Sequence, residues 1–545
     1  MKLKLVLSVL CVIIMGSACN PEGKTRPNIV FILADDLGYS DLGCYGAEFL
    51  RTPNIDQMAE NGIRFTNFYN TGRCWPTRTS LMSGYYPHQI LADPVDGVDY
   101  QQGNYSRVND SWLPHLLKDH GYRCYHSGKW HLVRKKPSTH HYSMQEVGFD
   151  RSYRTEDGKH LNPTRLMEDD QPIPVPGPGS DYEASTAIVD RGITYLKEHT
   201  GNFPGKPFFQ CLAFITPHFP LQAHQEDIDP YRGVFSVGWN RVREMRLHNR
   251  EEMGFPVHSL AGFEPDRFAP WNLTQEELTS QIDLNDVSRA VPWKDLTDGQ
   301  KEFQALKMAI HAAMITRMDR EIGRYFEELE KLRLLENTII FFCSDNGAST
   351  EIMNRAHKHT PGAVPGAEDS YVCLGPGWST ACNTPFRLHK TWVHEGGIAT
   401  PLVVHWPAVI KDGGAFRTMP SHIVDIAPTL LELAGGSREE IAGKAEPPGI
   451  SLVPVLKKGS VIERPPIFFH HENKKALRHG DWKITTIDEG ASWELYNLAV
   501  DRGETNNLAV SEPGKLEELV RLWEEQRDQI VDQITDSVKL FNGNY

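Results

Sequence analysis

Five short apolar runs, the first four separated from one another by helical stretches, constrain this chain more than any other feature. Residues 28–33, 122–126, 208–214, 338–343 and 401–405 are rich in β-branched and aromatic side chains and read as buried strands. Helical spacing fills 112–120, 182–199 and 305–334; in the last, Met308, Ala312, Ile315, Met318, Ile322 and Phe326 recur on one face. Near-continuous apolar strands alternating with helices predict an α/β fold, a large mixed but mostly parallel sheet covered by helices. The chain is 545 residues long, more than one core comfortably serves. We therefore expect a large domain over 26–464 and a small C-terminal α+β subdomain over 465–545. The latter carries short antiparallel strands at 466–469, 475–478, 482–485 and 493–496, then a helix over 514–531. Gly/Pro-rich stretches at 90–109, 156–179 and 352–377 have the length of binding loops or lids.

The amino terminus is of another kind. Lys2 and Lys4 precede an apolar run over 5–15, then Gly16-Ser17-Ala18-Cys19. This predicts a signal peptide over 1–18, too short to span a bilayer. Cys19 is placed as a lipidated terminus is, although an aliphatic residue is usual where Gly16 stands; plain cleavage after Ala18 is the alternative. The expectation is export, to the periplasm or to an outer-membrane lipid anchor. Removing Lys2 and Lys4 makes a chain of formal charge −14 more acidic still, which argues against nucleic-acid binding. Of nine cysteines, none forms a zinc-type C-x-x-C pair. The number is too small for a disulfide framework in a chain this long, although Cys373 and Cys382 are near enough to bridge an exported loop.

Ligand-type residues stand where the strands end, and in open parallel sheets ligands bind beyond the carboxyl ends. Asp35-Asp36 follows the first strand and Asp345-Asn346-Gly347 the fourth. Each alone reads equally as a turn. Together they offer three carboxylates and an amide, an oxygen-rich set suited to Ca²⁺, with Mg²⁺ as the alternative, rather than zinc. Gly128-Lys129-Trp130-His131 follows the second strand and Thr216-Pro217-His218 the third; Lys390 and Glu395-Gly396-Gly397 come later. Singly, each Lys or His is an ordinary surface or structural residue.

Cys74-Trp75-Pro76-Thr77-Arg78 changes that balance. It resembles the C-x-P-x-R signature of type I sulfatases, in which a maturation enzyme oxidises the cysteine to formylglycine. A formylglycine hydrate carries two hydroxyls on one carbon: one attacks sulfur, and deprotonating the other re-forms the aldehyde and expels sulfate. The order Asp-Asp, C-x-P-x-R, G-K-W-H, T-P-H, S-D-N-G, K-x-x-x-x-E-G-G, with the tail Trp493 to Leu498, is similar to that family, within the alkaline phosphatase superfamily, over most of the chain. The resemblance implies a metal held by Asp35, Asp36, Asp345, Asn346 and the group made from Cys74. It implies that Arg78, Lys129 and Lys390 hold sulfate charge, that His131 is the base for the second hydroxyl, and that His218 is the acid for the leaving alcohol. Between Arg387 and Lys390 the family has glycine; here Leu388 and His389 stand there. The implied activity is sulfate monoester hydrolysis, exo-acting on a sulfated galactose or N-acetylhexosamine. A phosphoesterase or phosphonate hydrolase of the same superfamily is the alternative, as is a sulfated-glycan-binding lipoprotein should Cys74 stay unconverted.

Overall fold

The computed structural model describes residues 26–96, 98, 111–132, 142–256, 259–441, 443 and 445–541. The expected leader, Cys19 and most of the 90–109 loop lie outside the described residues. Eleven strands form one sheet: β1 (Asn28–Asp35), β2 (Ile63–Tyr69), β3 (Arg123–Gly128), β4 (Arg151–Thr155), β5 (Leu166–Glu168), β6 (Gln171–Ile173), β7 (Phe208–Pro217), β8 (Thr338–Ser344), β9 (Ala399–His405), β10 (Ala415–Arg417) and β11 (Ser421–His422). Their order is β10-β2-β9-β8-β1-β7-β3-β4-β5-β6, with β11 also on β2. The run β8-β1-β7-β3-β4 is parallel. This puts the ends of β1, β3, β7 and β8 along one edge.

β1 is buried along its whole length, and its period-2 alternation divides it between two cores. Val30 and Ile32 pack with the helices Ala184–Asn202 and Asp298–Lys331 on one face. Ile29, Phe31 and Leu33 face the other way, into a core shared with Leu113–Asp119 and Ile426–Leu433. Helices therefore cover both faces of the sheet.

The sheet is mixed, as expected: β9 runs antiparallel to both β8 and β2. The chain between β8 and β9 carries only short helices, Pro376–Cys382 and Glu395–Ile398, in its later part. Without a crossover helix to carry it back along the sheet, it re-enters at the end where β8 leaves. Cys373 and Cys382 do not pair; both are buried free thiols, Cys373 against the Met353 carbonyl at 3.6 Å and Cys382 against His311 at 3.8 Å. The 156–179 stretch is more ordered than a loop, since β5 and β6 extend the sheet edge there.

The C-terminal strands β12 (Ile467–His471), β13 (Lys474–His479), β14 (Trp482–Thr485) and β15 (Glu494–Asn497) form an antiparallel meander. The helix Pro513–Phe541 packs on β13 and β14. Phe468, Leu477, Ile484, Leu495 and Trp523 join the same core as Phe31 and Leu33, so this subdomain is seated on the large sheet. Among the described residues no helix is long and apolar enough to cross a membrane.

Candidate active site

Cys74 is the first residue of the helix Cys74–Ser83 and is 3% exposed. Pro76 lies in the first turn, where its missing N–H costs no helical bond. The Thr77 hydroxyl accepts from the Thr71 backbone N–H at 3.1 Å and fixes the entry to the helix, and Gly84 closes it at φ 75°. The helix N-terminus directs free N–H groups and the positive end of the dipole toward the Cys74 side, a setting that favours an anion.

Around it the strand ends converge. β1 delivers Asp35 and Asp36, the latter in the left-handed region at φ 66°, which Asp tolerates better than most residues. The loop after β8 delivers Asp345 and Asn346, with the Asp345 carboxylate accepting from the Asp36 backbone N–H at 3.3 Å. Arg78 reaches Asp345 through Nε at 2.8 Å and donates to the Lys129 carbonyl at 3.0 Å. Lys129, just past β3, places Nζ on Asp35 at 2.5 Å. Lys390 places Nζ 2.7 Å from Asp36. His218, just past β7, lies 3.7 Å from Asp36 through Nε2, and its Nδ1 faces the Phe219 carbonyl. His131 packs edge-on to Trp75 at 5.9 Å. Cys74 is within electrostatic reach of Arg78, Asp345 and Lys390. All ten residues named from the sequence thus gather in one place.

Burial opposes charge on Asp35, yet Lys129, His218, Arg78 and Lys390 hold its carboxyl well below the usual range. Asp345 is pushed well up, first by burial and then by the charge of Asp35. Burial lowers His218 to about 3, so its imidazole is neutral near pH 7. With Nδ1–H donated to Phe219, Nε2 is the atom left to gain a proton.

Two buried acceptors, Asp35 Oδ1 and Asn346 Oδ1, have no hydrogen-bond donor. Orphaned oxygens beside three buried carboxylates fit a hard divalent cation. The Asp35, Asp36 and His218 ligand atoms also lie within 4.8 Å of one another. The imidazole is the softer donor of the two sets.

Residues 27–437 match the family described as Sulfatase, and residues 386–532 match the N-sulphoglucosamine sulphohydrolase C-terminal family. The chain belongs to the sulfatase family. Among its relatives is an uncharacterized sulfatase of Schizosaccharomyces pombe, 30% identical over 93% of this chain and 94% of that one. An N-acetylglucosamine-6-O-sulfatase of Bacteroides thetaiotaomicron is 26% identical over 99% and 94%. The solved structure of BT4656 in complex with its substrate D-glucosamine-2-N,6-O-disulfate shares the fold, with TM-score 0.60, 22% identity, and 93% and 98% coverage. This sulfatase is accordingly a sulfuric ester hydrolase.

Several motif residues of this sulfatase serve the frame rather than the chemistry. Glu395 is fully buried and bonds Lys483 at 3.0 Å and Arg502 at 2.8 Å, fastening the C-terminal subdomain. Gly396 and Gly397 lie where a Cβ would stand 2.1 Å from the Leu388 carbonyl and 2.0 Å from that of Trp392. Glu494, in the tail motif, holds Arg387 at 2.8 Å and His394 at 3.1 Å, bracing the loop that carries Lys390. Leu388 adopts φ 64°, a conformation natural to the glycine of the family pattern.

Sequence reasoning missed Glu351. It is 1% exposed and takes Lys390 at 3.2 Å, Arg73 at 3.3 Å and Trp271 Nε1 at 2.9 Å. No periodicity marks it. The one signal was its position, six residues past Asp345 in the same strand-end loop.

Proposed function

We propose that this enzyme cleaves a sulfate monoester on a sugar, using a formylglycine nucleophile made from Cys74 and a divalent cation, Ca²⁺ or Mg²⁺, held by Asp35, Asp36, Asp345 and Asn346. The observation that carries the reading is the pairing of two lysines with the two β1 aspartates around the Cys74 helix N-terminus. The formylglycine hydrate supplies paired hydroxyls, and the cation supplies polarisation of sulfate oxygen. Lys129, Lys390 and the helix N-terminus offset the negative charge spread over the sulfuryl oxygens. Arg78, fixed by Asp345 and the Lys129 carbonyl, orients the modified side chain. An incoming sulfate anion raises the proton affinity of His218 Nε2, which then protonates the leaving alcohol. His131, against Trp75, takes the proton of the second hydroxyl. Two observations support a bacterial exported glycan scavenger: the apolar run ahead of Cys19, which reads as a leader, and a likeness to a relative named for a sulfated amino sugar.

The test pairs peptide mass at Cys74 with a screen of monosulfated sugars and the matching phosphates. The expected result is formylglycine at Cys74, turnover of a sulfate in preference to its phosphate, and loss of steady-state turnover in Cys74→Ser. Turnover by the Ser variant equal to that of the converted enzyme would overturn the mechanism.

A further inference from the structure

Beside the carboxylate cluster an open pocket of about 510 Å³ is lined by Arg73, Trp271, Glu351, Asn354, Arg355 and Glu472, among others. Its volume falls within the roughly 300–1,000 Å³ of small-molecule sites. A larger cavity of about 620 Å³, lined by Asn54, Leu335 and His405, lies where β8 begins, at the far end of the sheet from Cys74. The smaller one adjoins the chemistry. Arg73 immediately precedes Cys74, Glu351 holds Lys390 at 3.2 Å, and Arg355 lies 5.0 Å over the ring of Phe219, the neighbour of His218.

Arg73 is the unusual member. It is 8% exposed, its guanidinium 5.2 Å from the Trp75 ring and 5.3 Å from that of Trp271. One nitrogen reaches Glu351 at 3.3 Å, while Nε and Nη1 are buried without an acceptor. Leaving such donors unmet is costly, so a ligand acceptor is the natural partner. Trp271 is held by Nε1 on Glu351 at 2.9 Å and is 38% exposed, offering a flat apolar surface for the C–H face of a sugar ring.

Resting on the sulfatase reading above, we propose that this pocket seats the sugar ring bearing the sulfate, and that it selects a ring with hydroxyls and no second anionic group. The charges of Arg73 and Arg355 are matched by those of Glu351 and Glu472, so no net field attracts a further anion, and two carboxylates repel one. A hydroxyl suits both signs, accepting from Arg73 and donating to Glu472. The acidity of the whole chain works in the same direction.

The experiment uses the full enzyme, with conversion at Cys74 checked by peptide mass in every variant because Arg73 borders the modified residue. Sugar sulfates are compared as matched pairs for each sulfated hydroxyl, one member neutral elsewhere and the other carrying a carboxylate or a second sulfate. N-acetylglucosamine-6-sulfate against glucosamine-2-N,6-O-disulfate is one pair. The neutral member should show the higher kcat/KM, by about tenfold or more. Trp271→Ala and Arg73→Lys should raise KM on the accepted sugar sulfate about tenfold more than on nitrophenyl sulfate, a factor that corresponds to one lost good contact. Preference for the doubly anionic member overturns the selectivity. Equal losses on both substrates, or turnover of nitrophenyl sulfate with no sugar accepted, overturns the pocket. Failure of converted enzyme on nitrophenyl sulfate and sugars alike would remove the sulfatase mechanism as well, and so separates the two claims.

Discussion

Replacing Glu395 with Gln should destabilise the protein without touching the chemistry. The carboxylate is fully buried and accepts from Lys483 at 3.0 Å, from Arg502 at 2.8 Å and from the Tyr69 hydroxyl at 2.9 Å. Burial opposes its charge, yet Lys483, Arg502 and Arg478 hold it at about 2 against an ordinary 4.5. A shift of that size corresponds to about 3 kcal/mol, in line with the roughly 3–5 kcal/mol for breaking a buried pair. Without Glu395, Lys483 keeps Glu504 at 2.8 Å, while Arg502 loses the carboxylate it holds at 2.8 Å. Urea unfolding near neutral pH should show a loss of about 3 kcal/mol. Its sign with pH is fixed: the stabilisation is complete above the ordinary 4.5 and fades as pH falls toward 2, so the gap to the parent should narrow only in acid. Pairing Glu395→Gln with Lys483→Met should recover part of the loss, because one cation is gone from the cluster. A single-variant loss below about 1 kcal/mol, or a double variant as weak as the sum of the singles, would refute the reasoning.

His218→Ala should lose more activity on a sugar sulfate than on nitrophenyl sulfate, since a nitrophenolate departs without a proton; the difference should approach the hundredfold that general acid help is typically worth at its lower end. Equal losses, measured with chemistry rate-limiting, would count against the assignment. The fold should also be acid-labile. His88, His126 and His422 are held by burial at about 3, and His160 and His389 at about 4, against an ordinary 6.5. A depressed pKa contributes stability above 6.5 that is lost as pH falls, at up to about 1.4 kcal/mol per pH unit for each histidine. A urea midpoint unchanged between neutral pH and pH 5 would contradict this.

The sequence was most legible where the chemistry needs a residue at a strand end. Asp35, Lys129, His218 and Asp345 each follow an apolar run, and the structure brings them together as that rule requires. The rest depended on contacts between distant segments. β2 was missed because Arg64 and Asn67 interrupt its apolar pattern, each satisfied by a carbonyl some 350 residues away. The direction of β9 followed from the path of a loop, which periodicity does not record. Glu351 and Trp271 meet across 80 residues, and neither carries a local signature. Glu395 was legible as a motif member, while its partners Lys483 and Arg502 were not.

The active site draws on residues from Asp35 to Lys390, carried by β1, β3, β7, β8 and the helix at Cys74. Sheet neighbours such as β1 and β8 are some 300 residues apart in sequence. Closing such long loops makes folding slow, and no partial sheet can bring the ligands together. Catalysis is therefore an all-or-none reporter of folding, and activity regained after dilution from denaturant should follow the slowest phase. On the proposed formylglycine reading, Cys74, buried at 3% exposure once the sheet is complete, would be open to a modifying enzyme only before that phase ends. Maturation and folding would then compete for the same interval, and conditions that slow folding should raise the converted fraction.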